Sequence, residues 1–151
     1  MVHYNYLTWP DFGTPEESEY EVIEDIISKM AEIEEDEGNK SKIIVHCSAG
    51  IGRTGTLIAI YNCISTIQHY VDAQMEQKGK LSIFAIVRRL REQRYHMVHN
   101  ELQYEFIYQF VHFWFSKLGI DDTNRPQRKI ENLVEESPKS KVSEQYSRDD
   151  E

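Results

Sequence analysis

The sequence predicts an α/β fold in which a few-stranded parallel sheet packs with at least four helices. Three observations lead to this prediction: two short segments have strand character, four longer segments repeat apolar residues at helical spacing, and a glycine-rich loop joins a predicted strand to a helix. The chain has 151 residues, of which 40% are hydrophobic, so it can form one modest domain with a core. No run of about 18 apolar residues occurs, and we expect no membrane-spanning segment.

The first predicted strand and the first predicted helix are separated by a short loop. Residues 2–8 alternate aromatic or β-branched residues with polar ones, which is typical of a strand. Residues 9–15 contain Pro and Gly and are expected to form a loop. A helix should follow from residue 16 or 17 to residue 35, because apolar side chains recur on one face at helical spacing. These side chains are Tyr20, Ile23, Ile26, Ile27, Met30 and Ile33.

A second strand is predicted at residues 42–46, where three consecutive apolar residues indicate a buried position. Gly38 and Asn39 should end the preceding helix. Strand, helix and strand would then form one right-handed crossover that places the two strands parallel to each other.

Two further helices are expected after the second strand. The helix at residues 52–70 has apolar residues on more than one face, which indicates a central place in the fold. Residues 71–80 are polar and should form a linker. Ser82 is expected to be the N-cap of a helix at residues 83–93.

The last predicted helix begins after Asn100 and runs to Lys117. Asn100 is a favoured N-cap residue, and Gln103 stands at the position that completes a capping box. The helix is rich in aromatic residues, which we expect to pack in the core. They are Tyr104, Phe106, Tyr108, Phe110, Phe113, Trp114 and Phe115.

The sequence divides into a domain at residues 1–118 and a polar tail at residues 119–151. The tail lacks apolar periodicity, and we expect it to be disordered. The net charge is −9, but residues 41–120 carry nine Lys or Arg against five Asp or Glu. A basic middle segment suits an anionic substrate group, whereas the acidic whole argues against nucleic acid as a partner.

Cysteine usage and the N-terminal residues predict a cytoplasmic protein. Two cysteines are too few for a disulfide framework, and a functional thiol needs a reducing compartment. The first residues lack a basic segment followed by an apolar one, so no secretory signal is expected.

Residues 45–55 read as a phosphate-binding loop with a nucleophile at its start. Successive backbone N–H groups in a tight loop bind anions, and the following helix N-terminus adds further donors. Gly50 and Gly52 permit close backbone approach. Arg53 can hold two phosphate oxygens at once. The same donors would stabilise a thiolate, so we expect Cys47 to have a lowered pKa and to be nucleophilic.

Four segments together resemble the tyrosine-specific protein phosphatases, over about residues 2–116. The resemblance implies a tyrosine-phosphatase-like fold and the hydrolysis of phosphotyrosine in proteins, with no metal and no cofactor. The segments are Trp9-Pro10-Asp11, the run from His46 to Gly55 (His-Cys-Ser-Ala-Gly-Ile-Gly-Arg-Thr-Gly), Glu92-Gln93-Arg94, and Gln103-Tyr104-Glu105-Phe106.

The resemblance implies a catalytic role for five residues. Cys47 would attack phosphorus and form a phosphocysteine, and Arg53 would hold the phosphate oxygens. Asp11, on a mobile lid loop, would be the general acid and then the general base. Thr54 would donate a hydrogen bond to the sulfur, and His46 would help to tune the thiolate. The phosphate oxygens would also be held by the backbone amides of Arg53 and of Ser48, Ala49, Gly50, Ile51 and Gly52.

The resemblance also assigns substrate-binding residues outside this loop. Phe12 would pack on the phosphotyrosine ring, and Trp9 would anchor the lid. Gln103 matches one of the family's two glutamines, but His99 stands where the other, which positions the hydrolytic water, is usual. A histidine can still hydrogen-bond water, so we expect a slower second step or a shifted pH profile.

The chain resembles the C-terminal half of the family's catalytic domain, which leaves several alternatives. It could be a truncated gene product, a fragment of a longer protein, or a minimal unit stabilised by a partner. A catalytically impaired phosphotyrosine-binding or trapping module is the alternative to an enzyme. A dual-specificity or lipid phosphatase suits the length but not the segments at residues 9–11 and 103–106.

Overall fold

The computed structural model describes residues 2–36, 42–72 and 81–119, which belong to one compact unit, Met1–Ile120. Residues 73–80 of the predicted linker at 71–80, the turn at 38–39 and the tail beyond Gly119 lie outside the described residues. Residues 71 and 72 are the last of a helix and are not linker. The described part contains a short 3-10 turn and four helices close to the predicted bounds. These are the turn at Glu17–Glu19, α1 (Tyr20–Glu35), α2 (Gly52–Asp72), α3 (Ile83–Gln93) and α4 (Glu101–Lys117).

Helix α2 is the centre of the fold, as its sequence predicts, because both α3 and α4 pack against it. Ala59, Ile60 and Cys63 of α2 are fully buried, and so are Phe106 and Phe110 of α4. Burying side chains of this size is the main source of stability in a domain of this length. The position of α2 fixes the loop that precedes it.

Helix α1 joins this core through an aromatic cluster. The Tyr20 ring lies 5.5 Å from Phe106 and 5.4 Å from Phe110, measured between centroids. At the other end of α1, the Tyr61 hydroxyl of α2 donates a hydrogen bond to Glu34 at 2.5 Å. The predicted helix positions are thus confirmed. The predicted core packing is confirmed for Phe106 and Phe110 but is wrong for Tyr108, which is 42% exposed.

Side-chain caps begin α3 and α4 at the predicted residues. The Ser82 hydroxyl accepts a hydrogen bond from the Ala85 N–H, and the Asn100 side chain accepts one from the Gln103 N–H. The predicted capping box is wrong in one respect: Gln103 Oε1 accepts from the N–H of His99, one residue before the N-cap. The glutamine therefore ties the preceding loop to α4.

The predicted parallel sheet is not found in the described residues. Residues 2–8 and 42–46 belong to no helix or strand, and neither segment is paired in a ladder. Both segments instead line one cavity of about 510 Å³, together with α1. Ile44 is 82% exposed, so the expected buried strand is also wrong. A strand is stabilised by a neighbouring backbone, and in the described residues none reaches these two segments.

Candidate active site

The loop that begins at Cys47 connects residues 42–46 to the start of α2 at Gly52. Gly50 has a φ of +68°, a conformation that glycine adopts without strain. Its N–H donates to Cys47 Sγ at 3.2 Å. The Arg94 guanidinium covers the outside of the loop and donates to the Ala49 carbonyl at 3.1 Å. The loop thus directs a backbone N–H at the sulfur, and Arg94, the C-cap residue of α3, binds the loop from outside.

The Cys47 thiol is acidified by its surroundings. Burial raises its pKa, but hydrogen bonds from the Thr54 hydroxyl and from the N–H groups of Thr54, Gly50 and Ile51 outweigh burial and lower the pKa to about 7. The Thr54 hydroxyl is buried, and its contact with the sulfur is longer or less well aligned than an ordinary hydrogen bond, whereas the Gly50 N–H lies 3.2 Å from Cys47 Sγ. A large fraction of Cys47 is therefore thiolate near neutral pH.

Arg53, in the first turn of α2, links the loop to residues 9–11. Its Nη2 donates to the Ser48 hydroxyl at 2.8 Å, and its Nη1 donates to the Trp9 carbonyl at 3.1 Å. Nη2 also forms an ion pair with the Asp11 carboxylate. The guanidinium therefore already holds one anionic group next to the cysteine, and a bound oxyanion would compete with it.

The segment that carries Asp11 is a tight turn built on a buried tryptophan. Trp9 packs edge-on against Phe106 with ring centroids 5.9 Å apart. Its indole N–H donates to the Gly13 carbonyl at 3.1 Å, and the Gly13 N–H donates to the Pro10 carbonyl at 3.2 Å. The predicted anchoring role of Trp9 agrees with these contacts.

The connection between α3 and α4 forms another wall of the site. The Val98 N–H donates to the Ile51 carbonyl at 3.1 Å, which joins this connection to the phosphate-binding loop. Arg91 donates to the carbonyls of Met97 and Val98 at 2.9 and 2.8 Å. The fully buried Gln103 lies beneath, so His99 is presented towards the Cys47 loop.

These walls enclose a cavity of about 180 Å³ that contains most of the predicted site residues. Thr54 lies below the sulfur, and Gly50 contributes its N–H. The arrangement can bind a tetrahedral oxyanion beside a thiolate, with a carboxyl group on the opposite side. The lining residues are Asp11, Phe12, Cys47, Ser48, Ala49, Ile51, Gly52, Arg53, His99 and Gln103.

Three predicted site residues do not line this cavity: Gly50, Thr54 and His46. Gly50 and Thr54 still lower the pKa of Cys47, but His46 does not contribute. Its exposed ring stacks on His3 at 6.2 Å and lines the neighbouring cavity beside α1. The hydrogen bonds that lower the pKa of Cys47 come from residues 50, 51 and 54. The proposed tuning role of His46 thus has no support in the geometry.

Three contributing residues were given no site role from the sequence. Arg91 and Arg94 fix the carbonyls of the two loops, and the Asn100 amide donates to the Phe12 carbonyl at 2.7 Å. The only sequence signals were the Glu92-Gln93-Arg94 segment and the N-cap pattern at Asn100. Neither signal says which distant backbone group the side chain reaches.

The described residues contain neither a metal-binding cluster nor a membrane-spanning helix. Within residues 2–36, 42–72 and 81–119, no three or more His, Cys, Asp or Glu side chains are grouped so that they could hold a metal ion. No helix in the same ranges has the length and apolar character needed to cross a membrane.

A family model and individual relatives all place the chain among the same proteins. The family model described as protein-tyrosine phosphatase matches residues 1–113. The human tyrosine-protein phosphatase non-receptor type 9 is 33% identical over 129 residues, covering 80% of this chain and 20% of its own length. The receptor-type tyrosine-protein phosphatase zeta of Rattus norvegicus is 36% identical over 108 residues, covering 72% of this chain and 4% of its own length.

A solved structure supports the same relationship. The crystal structure of a protein tyrosine phosphatase from Trypanosoma brucei matches with a TM-score of 0.57 and 34% sequence identity, over 77% of this chain and 36% of that one. The chain thus spans well under two thirds of the length of each of these proteins.

Proposed function

The chain belongs to the protein-tyrosine phosphatase family, and on this premise we propose that it hydrolyses phosphotyrosine in proteins through a phosphocysteine intermediate. One observation carries the proposal: Cys47, with a pKa of about 7, shares a small cavity with Arg53 and Asp11. A thiolate nucleophile, a bidentate phosphate binder and a carboxyl group are the parts that this chemistry needs.

The first step transfers the phosphoryl group from tyrosine to Cys47. The Cys47 thiolate attacks phosphorus, so an S–P bond forms while the bond from phosphorus to the phenolic oxygen breaks. Arg53 and the loop amides hold the other phosphate oxygens. Asp11 leaves its ion pair with Arg53 when phosphate binds, takes up a proton from solvent, and donates that proton to the departing phenolic oxygen.

The second step returns the enzyme to its starting state. Water attacks phosphorus, Asp11 accepts a proton from it, and the S–P bond breaks to release phosphate and the thiolate. Asp11 then gives this proton to solvent and forms its ion pair with Arg53 again. His99 and Gln103 line the cavity near this water. We assign them to holding it, with Phe12 placed to pack on the tyrosine ring in the first step.

The proposed partners are phosphotyrosine-containing proteins, and the proposed location is the cytoplasm. A thiolate nucleophile supports this location, because a reducing compartment keeps Cys47 free to react. Cys63 does not compete, since burial raises the pKa of its thiol to about 12.

The proposal predicts phosphate release from a phosphotyrosine peptide but not from the matched phosphoserine peptide. Cys47→Ser should reduce the rate by about a thousandfold or more, because it removes the nucleophile. Asp11→Ala should reduce the rate by about 10²–10⁴-fold, the contribution of a general acid. Circular dichroism of each variant controls for folding. Undiminished release by Cys47→Ser, or no release by the folded wild type, would refute the proposal.

A trapping module is the second candidate, and the observation that favours it is His99 in the catalytic cavity. If His99 holds water poorly, phosphotyrosine is cleaved once and the phosphocysteine persists. Pre-steady-state kinetics should then show a burst of product followed by slow turnover. His99→Gln should speed the slow phase by a factor on the order of three to ten, the effect of one hydrogen bond, and leave the burst unchanged. Equal steady-state rates for both proteins would exclude this role of His99.

A further inference from the structure

We propose that Asn100 is a positioning residue that holds the Asp11 turn over the phosphate-binding loop. The proposal rests on the function proposed above, in which Asp11 is the general acid. Asn100 Nδ2 donates to the Phe12 carbonyl at 2.7 Å, across 88 positions in the sequence. Phe12 directly follows Asp11, so this hydrogen bond acts at the acid itself.

The orientation of the Asn100 amide is fixed by its two partners. The Gln103 N–H, 2.9 Å away, can only donate, so the oxygen of the amide must face it. The Phe12 carbonyl can only accept, so the nitrogen must face that side. Only one of the two orientations of the amide group satisfies both partners. Asn100 therefore caps α4 and binds the turn at the same time.

Phe12 needs such a restraint because little else holds it. Its φ is +60°, a left-handed conformation that side-chain-bearing residues rarely adopt. Its side chain is 69% exposed, and its ring meets His99 only at a centroid distance of 5.8 Å. Without the hydrogen bond from Asn100, the backbone at Phe12 would relax towards an ordinary conformation and take Asp11 with it.

Asn100 gains importance when phosphate is bound. In the described state the turn is held at Trp9 by Arg53, at Asp11 by the ion pair to Arg53, and at Phe12 by Asn100. A phosphate group takes over the Arg53 Nη2 side and displaces Asp11 from it. Among the described residues, Asn100 then supplies the hydrogen bond that comes from outside the turn at the acid's end, at the moment when Asp11 must point at the leaving oxygen.

Asn100→Ser separates this role from helix capping. Serine caps helices about as well as asparagine, but it is too short to reach the Phe12 carbonyl. Asn100→Ala, the matched variant, loses both the cap and the hydrogen bond to Phe12. A lower melting temperature is expected for Asn100→Ala alone, whereas both variants should show the same kinetic defect.

The kinetic readout is the dependence of kcat/KM on the leaving group. Tyrosine, with a phenol pKa of about 10, needs a proton from Asp11. The phenolate of 2,4-dinitrophenyl phosphate leaves without one. Asn100→Ser should therefore lower kcat/KM for a phosphotyrosine peptide about three- to tenfold and leave the dinitrophenyl substrate unchanged. Equal losses for the two substrates, or no loss, would overturn the proposal.

Two further measurements complete the test. In an Asp11→Asn background, Asn100→Ser should have no additional effect on the phosphotyrosine peptide; a second, multiplying loss would contradict the positioning role. Amide hydrogen exchange at residues 9–15 should be faster in Asn100→Ser than in the wild type. This exchange is measured without substrate, so it decides the role of Asn100 even if the wild type releases no phosphate and the proposed function fails.

Discussion

The acidity of Cys47 results from a balance between burial and hydrogen bonding. Burial alone would raise the pKa of the thiol above its ordinary value of 9.0, as it does for Cys63. The donors of the loop and of Thr54 reverse this effect. Because the folded-state pKa is depressed, the thiolate stabilises the fold fully above about pH 9, and this contribution is lost as the pH falls through about 7.

Thr54→Val tests the share of the side-chain hydroxyl in this balance. The variant keeps the shape but removes the donor, so the pKa of Cys47 should rise from about 7 towards 9.0. Alkylation by iodoacetamide at pH 7 should slow by roughly three- to tenfold, and the midpoint of the rate–pH curve should move upwards. A Cys47→Ser protein gives the background from Cys63. An unchanged midpoint would show that the backbone amides suffice.

Individual residues differ in how far the sequence could predict them. Cys47 begins the loop and Arg53 lies in the helical turn that directly follows it, so local spacing in the sequence brings the two side chains together. The contact of Asn100 with Phe12 depends on how α4 meets the turn at residues 9–13, which no local pattern specifies. His46 shows the converse, since being next to Cys47 in sequence does not bring its ring to the cavity.

At the scale of the elements, the start of α2 fits closely under the connection between α3 and α4. A Cβ atom at Gly55 would lie 2.4 Å from the Val98 nitrogen and 3.1 Å from the Met97 backbone. These atoms are backbone and cannot rotate away. Glycine at this position therefore lets the Val98 N–H reach the Ile51 carbonyl, which joins the two walls of the site.

Gly55→Ala should destabilise the protein although alanine is the better helix former. Alanine would normally gain about 0.5–1 kcal/mol in a helix, but here the backbone at Met97 and Val98 must move, at a cost of about 1–3 kcal/mol. Urea unfolding followed by circular dichroism measures the net change. Gln68→Ala, at an exposed position of the same helix, is the control and should have little effect. An unchanged free energy of unfolding in Gly55→Ala would mean that the backbone between α3 and α4 can move at little cost.

The helices were predictable because their signals are local. Apolar spacing set the faces of α1 and α4, and the cap residues Ser82 and Asn100 set two starting points. The absence of the sheet could not be predicted, because a strand depends on hydrogen bonds to another segment of the chain. Residues 2–8 and 42–46 have strand composition, yet the described chain offers them no ladder.

At the scale of the whole molecule, the cavity lined by Cys47 and Arg53 is supported from one side by a continuous core. The Phe106 ring contacts both Trp9 of the Asp11 turn and Tyr20 of α1. The turn and the phosphate-binding loop therefore rest on the same packed helices. The cavity of about 510 Å³ beside residues 2–8 and 42–46 is also lined by Cys47, so no packed core supports Cys47 there.

The place of Trp9 gives the molecule an optical signal for the state of the site. The chain has two tryptophans, Trp9 and Trp114, and both are buried. A Trp114→Phe variant would leave a single indole, 5.9 Å from Phe106 and bonded to the Gly13 carbonyl. Any opening of the Asp11 turn would expose that indole to water and shift its fluorescence emission to longer wavelengths. The movement of the turn could then be measured in real time without a label.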